Sequence, residues 1–382
     1  MLRPAADPPF RAVVGVGGIG SGTFLALEGN DLLGRNESRG ARLLDVRDYC
    51  KLHIVTHYLA VLLGADPAGG SFRVVPVGRV GRDQSGDRLR EEMRAVGMEM
   101  AWVDALDDRP TLSSVCFQYP DGSGGNITLT ESAADTLDAA AIDRAAPVLQ
   151  AEGPRAIALA LPEVPLAARR HLLEIATGTG AFRVASFTSS EIAEARQSGT
   201  LGLVDLLALN EDEAAALVGW TFDHDAPIAI LGALEVAVAA GRPDARILVS
   251  AGAAGAFAFA DGAWDQCPAP AVEVASTAGG GDALLAGVLA GLAVGAPLIA
   301  PSGRSVPARR EITDRPLESA LDLGVLLASY SVTSPHTIHP GADLTALVGF
   351  AGRLGVTFTG ALARAVGDQL PQPSADRPAE RD

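Results

Sequence analysis

Three consecutive glycines followed by an aspartate, residues 279–282, are the part of this sequence whose residue types could do chemistry. The run follows a strand-like stretch at 274–277 and precedes an apolar segment with helical spacing, so the pattern predicts a strand, a tight turn and a helix. Glycine lets a ligand approach the backbone closely, and the first turn of a helix has N–H groups without partners. The turn is therefore predicted to bind an anion. A carboxylate beside that anion suits a general base that takes a proton from a hydroxyl attacking a phosphate.

The composition favours a globular α/β enzyme. The chain has 382 residues, 48% of them hydrophobic and 20% charged, with 43 glycines. Its formal charge of -16 and pI near 4.8 argue against a nucleic-acid or membrane partner. The three cysteines form no metal-binding or disulfide pattern, and neither a signal peptide nor an 18-residue apolar run is visible. We therefore expect a cytoplasmic enzyme.

The elements around the turn alternate between strand-like and helical segments. Strand-like segments lie at 10–17, 72–80, 156–161, 182–186, 203–209 and 246–250, and helical segments at 49–64, 85–96, 166–176, 190–198, 211–218, 229–240, 282 onward and 316–330. Such alternation predicts a parallel sheet with helices on both faces and ligands at the carboxyl ends of its strands.

One part of the chain breaks this alternation. Short runs around Asp121-Gly122 and Gly124-Gly125 predict a hairpin. We expect a single domain over 1–368, with a small β lid contributed by about 18–45 and 101–131. Residues 296–315 are predicted to be an insertion, and 369–382 a disordered tail.

With these segments in order, the chain resembles the ribokinase-like (PfkB) family of carbohydrate kinases. The signature of that family resembles Ser276-Thr277-Ala278-Gly279-Gly280-Gly281-Asp282-Ala283, and three further segments occur in family order. These are Leu209-Asn210-Glu211-Asp212-Glu213, Val249 to Gly255, and the N-terminal group Gly78 to Gly86 with Arg109-Pro110-Thr111 and Asp121-Gly122. The resemblance covers about 72–290. It implies a three-layer sandwich with a mostly parallel central sheet and a small β lid.

The resemblance also implies roles for individual residues. Asp282 would be the general base, and the backbone amides of Gly279, Gly280 and Gly281 would form the anion hole. Asn210 and Glu213 would act on a magnesium ion through water. The residues expected to border ATP are Asn210, Ser250, Gly252, Gly255, Thr277 and Thr333. A requirement for a monovalent cation is left open.

The expected acceptor-binding half departs from the family pattern. The stretch Gly15 to Gly22 has no acid to grip substrate hydroxyls, and the segment before the first long helix reads Arg47 to His53 instead of the family's Gly-Gly…Asn. We therefore expect a sugar or sugar-like acceptor whose contacts are drawn from Lys51, His53, Arg39 and Asn126. Arg39, Arg42 and Arg47 are suited to a phosphate or carboxylate on the acceptor, or form a solvated basic face.

Several alternatives remain at this stage. The glycines at 15, 17 and 20 fit a dinucleotide fingerprint, but that motif needs a helix where 21–29 reads as strand and turn. His53 and His57 have the spacing of metal ligands without an evident third ligand, and His336 and His339 could wall the adenine pocket. Residues 210–213 also fit a helix N-cap.

Two other functions are compatible with the same sequence motifs. A nucleoside or phosphosugar kinase, or a nucleotide-binding regulatory protein without sugar kinase activity, would fit the same motifs. A homodimer formed through the lid is not decided by the sequence.

Overall fold

The structure is a computed structural model that describes residues 1–121, 123–223, 226–301 and 310–367. The strands of its large sheet are β1 (Ala12–Val16), β5 (Arg73–Gly81), β6 (Val103–Leu106), β9 (Ala156–Ala160), β10 (Phe182–Ser186), β11 (Leu206–Leu209), β12 (Arg246–Ser250), β13 (Ala256–Ala260) and β14 (Ala263–Cys267). Those of its small sheet are β2 (Gly20–Leu27), β3 (Ala41–Leu43), β4 (Asp48–Tyr49), β7 (Leu112–Gln118) and β8 (Gly124–Thr128). The helices are α1 (Lys51–Leu63), α2 (Gln84–Ala95), α3 (Ala139–Glu152), α4 (Leu166–Thr179), α5 (Ile192–Gln197), α6 (Glu211–Val218), α7 (Pro227–Ala239), α8 (Gly280–Ala293), α9 (Ala320–Ser331), α10 (Leu344–Leu354) and α11 (Gly360–Val366).

The large sheet has nine strands in the order β14-β13-β12-β11-β10-β9-β1-β5-β6. Its strands from β12 to β6 run parallel, and β13 and β14 add an antiparallel edge. Strand β1 lies between β9 and β5, so the order of the strands reverses there. The carboxyl ends of strands at such a switch point enclose a crevice in which ligands bind.

Helices cover both faces of the large sheet. Because successive side chains of a strand point to opposite faces, Val13 and Leu159 face one core, which contains α1, α8 and α9. Val14 and Ala158 face a second core, built with α3 and α4. The prediction of an α/β fold with a mostly parallel sheet between two helical layers is confirmed. No helix in the described ranges is long and apolar enough to cross a membrane.

The second, smaller sheet is built around β2. This strand pairs in parallel with β7 and antiparallel with β3 and β4, and β8 pairs with β7. Strand β2 begins at Gly20, where a dinucleotide fingerprint would need a helix.

The expected boundaries of the lid need one correction. Residues 103–106 belong to the large sheet, because β6 pairs in parallel with β5 through Gly78 and Val103. The predicted tail at 369–382 and positions 302–309 of the predicted insertion lie outside the described residues.

Candidate active site

The glycine turn at the start of α8 has a backbone that only glycine fits. Gly279 has φ of +78°, and a Cβ atom there would lie 2.5 Å from the carbonyl oxygen of Thr337. The Gly280 N–H donates to the carbonyl of Thr277 at 3.1 Å and closes the turn. The amides of Gly281 and Asp282 follow in the first turn of α8. N–H groups in the first turn of a helix have no carbonyl partner within the helix. The turn thus presents N–H groups at the positive end of the helix dipole.

Asp282 faces the first residue of another helix. The Lys51 ammonium, at the start of α1, lies 3.4 Å from Oδ1 of Asp282. The Asp282 carboxylate is the main cause that raises the pKa of Lys51, and Glu163 and Glu213 add to it. Lys51 therefore stays an ammonium at neutral pH, at a point where four charged side chains converge.

The amino-acid composition already sets Lys51 apart from the other basic residues. The 30 Lys and Arg residues include a single lysine, and it is Lys51. All the other residues of these two types are arginines, with a planar guanidinium. The position beside Asp282 has the compact ammonium of a lysine instead. Counting the two basic residue types separately is enough to single out Lys51 in the sequence.

Glu163 is a site residue that the sequence reasoning missed. It follows β9 at the switch point, has φ of +73°, and its Oε2 accepts a hydrogen bond from the Lys51 amide at 3.1 Å. Burial raises its pKa to about 7, against the opposing effect of the Lys51 charge. A positive φ at a residue other than glycine is a strained conformation that tends to occur at functional sites. An acid directly after a parallel strand was the available signal.

Asp48 is the second missed acid. It lies on β4 opposite Gly22, and a Cβ atom on Gly22 would overlap the Asp48 carboxylate. Burial raises the pKa of Asp48 to about 6, the nearby Asp282 charge adds to the rise, and hydrogen bonds from the Tyr49 amide and Thr337 oppose it. The stretch Gly15 to Gly22 has no acid of its own, but two later segments place carboxylates against it.

A cavity of about 580 Å³ adjoins the glycine turn. The residues predicted for the nucleotide that line it are Ser250, Gly252, Gly255 and Thr277, together with Gly280 and Gly281. Its remaining wall is mostly apolar and comes from α8, α9 and the segment 269–274. The size and the small lining side chains suit an adenine nucleotide with its phosphates directed at the turn.

Thr333 does not line this cavity. Its hydroxyl donates to the carbonyl of Tyr330 at 2.7 Å in the turn that ends α9. Val332 and Ser329 occupy the cavity wall instead. The predicted segment reaches the cavity through Val332, and a contact between Thr333 and ATP stays a prediction.

Asn210 and Glu213 form a capping box at the start of α6. The Glu213 amide donates to Oδ1 of Asn210, the Asn210 amide donates to Oε2 of Glu213, and both distances are 2.8 Å. The Asn210 oxygen is thus used by the helix cap. Burial raises the pKa of Glu213, and the Lys51 charge opposes that rise. Glu213 therefore caps α6 and also faces the Lys51–Asp282 pair.

Among the described residues, the other predicted acceptor contacts make no hydrogen bond or ion pair with Asp282. His53 is buried against Tyr49, with ring centroids 4.5 Å apart, and burial holds its pKa well below the usual value. Arg39 bonds to Glu37 within the loop between β2 and β3, and Asn126 is exposed on β8. Of the four residues expected to contact the acceptor, the structure brings Lys51 alone to Asp282.

The four histidines that the sequence singled out make contacts within the protein. The rings of His53 and His57 are 6.2 Å apart, and within the described ranges no three His, Cys, Asp or Glu side chains are grouped to hold a metal ion. His336 accepts a hydrogen bond from the Arg47 amide at 3.0 Å, and His339 stacks on Tyr330. The His336 contact attaches the loop after α9 to the segment that precedes α1, whereas the His339 contact holds that loop against α9.

The mostly parallel sheet, the small second sheet and the glycine turn define the ribokinase-like class of α/β fold. Three solved structures share it at low identity. Ribokinase from Giardia lamblia matches with a TM-score of 0.66 and 17% identity over 85% of this chain and 94% of that chain. Ribokinase from Arabidopsis thaliana, complexed with ribose and ATP, gives 0.61 and 18% over 90% and 98%. The nucleoside kinase from Burkholderia thailandensis, in complex with inosine, gives 0.63 and 17% over 91% and 100%.

The family is shown by the sequence itself. The model of the pfkB family of carbohydrate kinases matches residues 55–343, which is most of the chain. The chain belongs to this family.

Proposed function

We propose that this protein transfers the γ-phosphoryl group of ATP to a hydroxyl of a sugar or sugar-like small molecule. One observation carries the proposal: Asp282 and the glycine turn lie where the apolar cavity meets the group formed by Lys51, Glu163 and Asp48. The cavity side of Asp282 is apolar, which suits the base of a nucleotide, and the other side is polar and charged, which suits a polyhydroxy acceptor.

Asp282 acts as the general base in this proposal. Its carboxylate takes the proton of the acceptor hydroxyl while that oxygen forms a bond to the γ-phosphorus and the bond to the ADP oxygen breaks. The first-turn amides of α8 stabilise the negative charge on the transferring group. The Lys51 ammonium lies on the acceptor side of that group and neutralises the same charge, since it is held 3.4 Å from the base.

A magnesium ion bound to the nucleotide phosphates fits the carboxylates present. Glu213 and Asp282 are oxygen donors of the kind that Mg²⁺ prefers, and both act electrostatically on Lys51. The ion would supply charge neutralisation at the phosphates, and Glu213 would hold it through water because one of its oxygens caps α6. Nothing in the described site argues for a monovalent cation.

The acceptor class is supported by the family and by two neighbours. The ribokinase neighbour is described with ribose and ATP and the nucleoside kinase neighbour with inosine, so a nucleoside kinase remains the second candidate. An ADP-release assay with ATP and magnesium over sugars, nucleosides and phosphosugars separates these candidates. Stabilisation by ATP without turnover on any of them would instead support the regulatory alternative.

We also propose a homodimer formed through the lid. The small sheet exposes apolar side chains, of which Leu43 is 67% and Ile127 64% accessible, and Val115 is partly accessible. An exposed apolar sheet face is typical of a protein interface. Light scattering during gel filtration tests this directly: a monomer for the native chain contradicts it, and a dimer that Ile127→Lys converts to monomer supports it.

A further inference from the structure

The acceptor end of the cleft carries more negative than positive charge. Asp48, Glu163 and Asp282 are close enough for the Asp282 charge to raise the pKa of each of the other two. Lys51 is the cation of this group, and its ammonium is already paired with Asp282. Among the residues that the structure describes, none forms an ion pair with Asp48. Asp48 is partly buried, and a carboxylate withdrawn from water without a counter-charge is unfavourable unless a ligand supplies one.

The backbone around the acids is cleared of side chains. Gly18 precedes β2 and Gly22 lies within it, and each stands against one of the acids. A Cβ atom on Gly18 would lie 2.6 Å from Oε2 of Glu163, and one on Gly22 would overlap Asp48. Gly18 and Gly22, which are not the glycines of the dinucleotide fingerprint, thus make room for two carboxylates. The missing side chains of these glycines leave space for the two acids at the cleft. Asp48 lies on a strand and Glu163 in a loop, so neither acid is positioned by a helix of its own.

We propose that the acceptor carries an ammonium group which Asp48 binds, so that the substrate is an amino-substituted sugar or polyol. This inference rests on the proposed function, because Asp282 is what marks this end of the cleft as the acceptor side. The ammonium supplies the counter-charge that Asp48 lacks and donates hydrogen bonds to its carboxylate. A phosphate or carboxylate on the acceptor would meet three carboxylates and be repelled.

Matched acceptors test this charge preference. Each hexose is assayed by ADP release as four compounds: the neutral sugar, its 2-amino-2-deoxy derivative, the N-acetylated derivative and the uronic acid. We expect kcat/KM for the amino sugar to exceed that for the neutral sugar by at least about tenfold. Acetylation keeps the nitrogen and removes its charge, and should abolish the preference. The preference should also weaken as salt is added.

Asp48→Asn is the variant that tests the residue, and Asp31→Asn is its control. The substitution at Asp48 should bring amino and neutral sugars to within about threefold of each other. Asp31 is an exposed acid between β2 and β3, so its substitution changes the net charge equally and should leave the preference unchanged. Thermal stabilisation by each sugar is measured in parallel with a non-hydrolysable ATP analogue, which gives a readout independent of turnover.

The outcomes separate this inference from the proposed function. Turnover that favours neutral or anionic acceptors overturns the inference and leaves the kinase. Stabilisation by amino sugars without turnover on any acceptor supports the inference and contradicts the kinase. If no acceptor is turned over and no sugar stabilises the protein, both the inference and the proposed function are overturned.

Discussion

Lys51 and Asp282 are 231 positions apart in the sequence, and Nζ of the first lies 3.4 Å from Oδ1 of the second. Each stands in the first turn of a helix, α1 and α8, and these helices pack against each other. The pair therefore joins the segment expected to contact the acceptor to the turn expected to bind phosphate.

Replacing Asp282 by asparagine should remove most turnover without loss of nucleotide binding. The amide is similar in size but cannot take the proton, so kcat should fall by about 10²–10⁴-fold. Stabilisation by ATP should persist, because the apolar cavity is unchanged. The control is Asp261→Asn in the exposed turn between β13 and β14, where φ of +52° suits asparagine. Retention of near-native kcat by Asp282→Asn would show that another group is the base.

Lys51 can be observed directly because the chain has no other lysine. Reductive methylation with ¹³C-formaldehyde would label Lys51 and the N-terminal amine alone, and NMR would follow their titration. We expect the pKa of Lys51 to lie above that of an ordinary lysine, and Asp282→Asn to lower it, since the Asp282 charge is the main cause of the rise. An unchanged titration in the Asp282 variant would contradict the pairing.

The Lys51 charge should also matter for the reaction. Lys51→Gln should lower kcat by about 10²–10³-fold, because it removes a charge that stabilises the transferring group. Lys51→Arg should recover only part of that loss, since a planar guanidinium does not fit the position of a compact ammonium. Full activity in the Gln variant, assayed at saturating ATP and acceptor, would show that the Lys51 charge does not contribute to the reaction.

Glu163 should make the stability of the protein depend on pH. Its folded pKa of about 7 lies above the ordinary value of 4.5, so the folded state binds this proton more tightly than the unfolded state does. The contribution of Glu163 to the free energy of unfolding is therefore present below about pH 4.5 and is lost as pH rises through 7. Relative to Glu163→Gln, the native protein should lose on the order of 2 kcal/mol between pH 5 and pH 8.5.

Denaturant unfolding of both proteins across that pH range measures the difference. Glu131→Gln is the matched control, because Glu131 is also an acid with positive φ but is exposed. Parallel pH curves for the native protein and Glu163→Gln would show that Glu163 titrates as an ordinary surface acid.

Gly279 and Gly219 separate backbone strain from close contact. Both have positive φ, +78° and +75°, but a Cβ atom on Gly219 meets nothing within 4 Å, whereas one on Gly279 would lie 2.5 Å from the Thr337 carbonyl. Gly219→Ala should cost about 1 kcal/mol of stability. Gly279→Ala should cost about 1–3 kcal/mol more and also lower kcat, because the anion-binding turn must shift. Equal losses of stability in the two variants would mean that the Thr337 carbonyl moves freely.

The parts of the site that the sequence predicted are local ones. A glycine turn before a helix, the alternation of strands with helices and the capping residues at 210–213 all depend on neighbours within a few positions. For that reason Ser250, Gly252, Gly255 and Thr277 were expected to lie together, and they line one cavity; their contact with ATP stays a prediction. The role of Asp282 as base follows from the same local pattern and remains a prediction.

The tertiary structure decided which distant segments meet. Asp48 and Glu163 reach the cleft because β4 pairs with β2 and because β9 lies beside β1, and no local pattern specifies either pairing. Strand pairing likewise placed 103–106 in the large sheet, and the last turn of α9 turned Thr333 away from the cavity. The sequence by itself determined the elements and the glycine turn before α8, since these depend on backbone preferences and periodicity. Long-range packing alone brought the only lysine to Asp282 and two acids to a row of glycines.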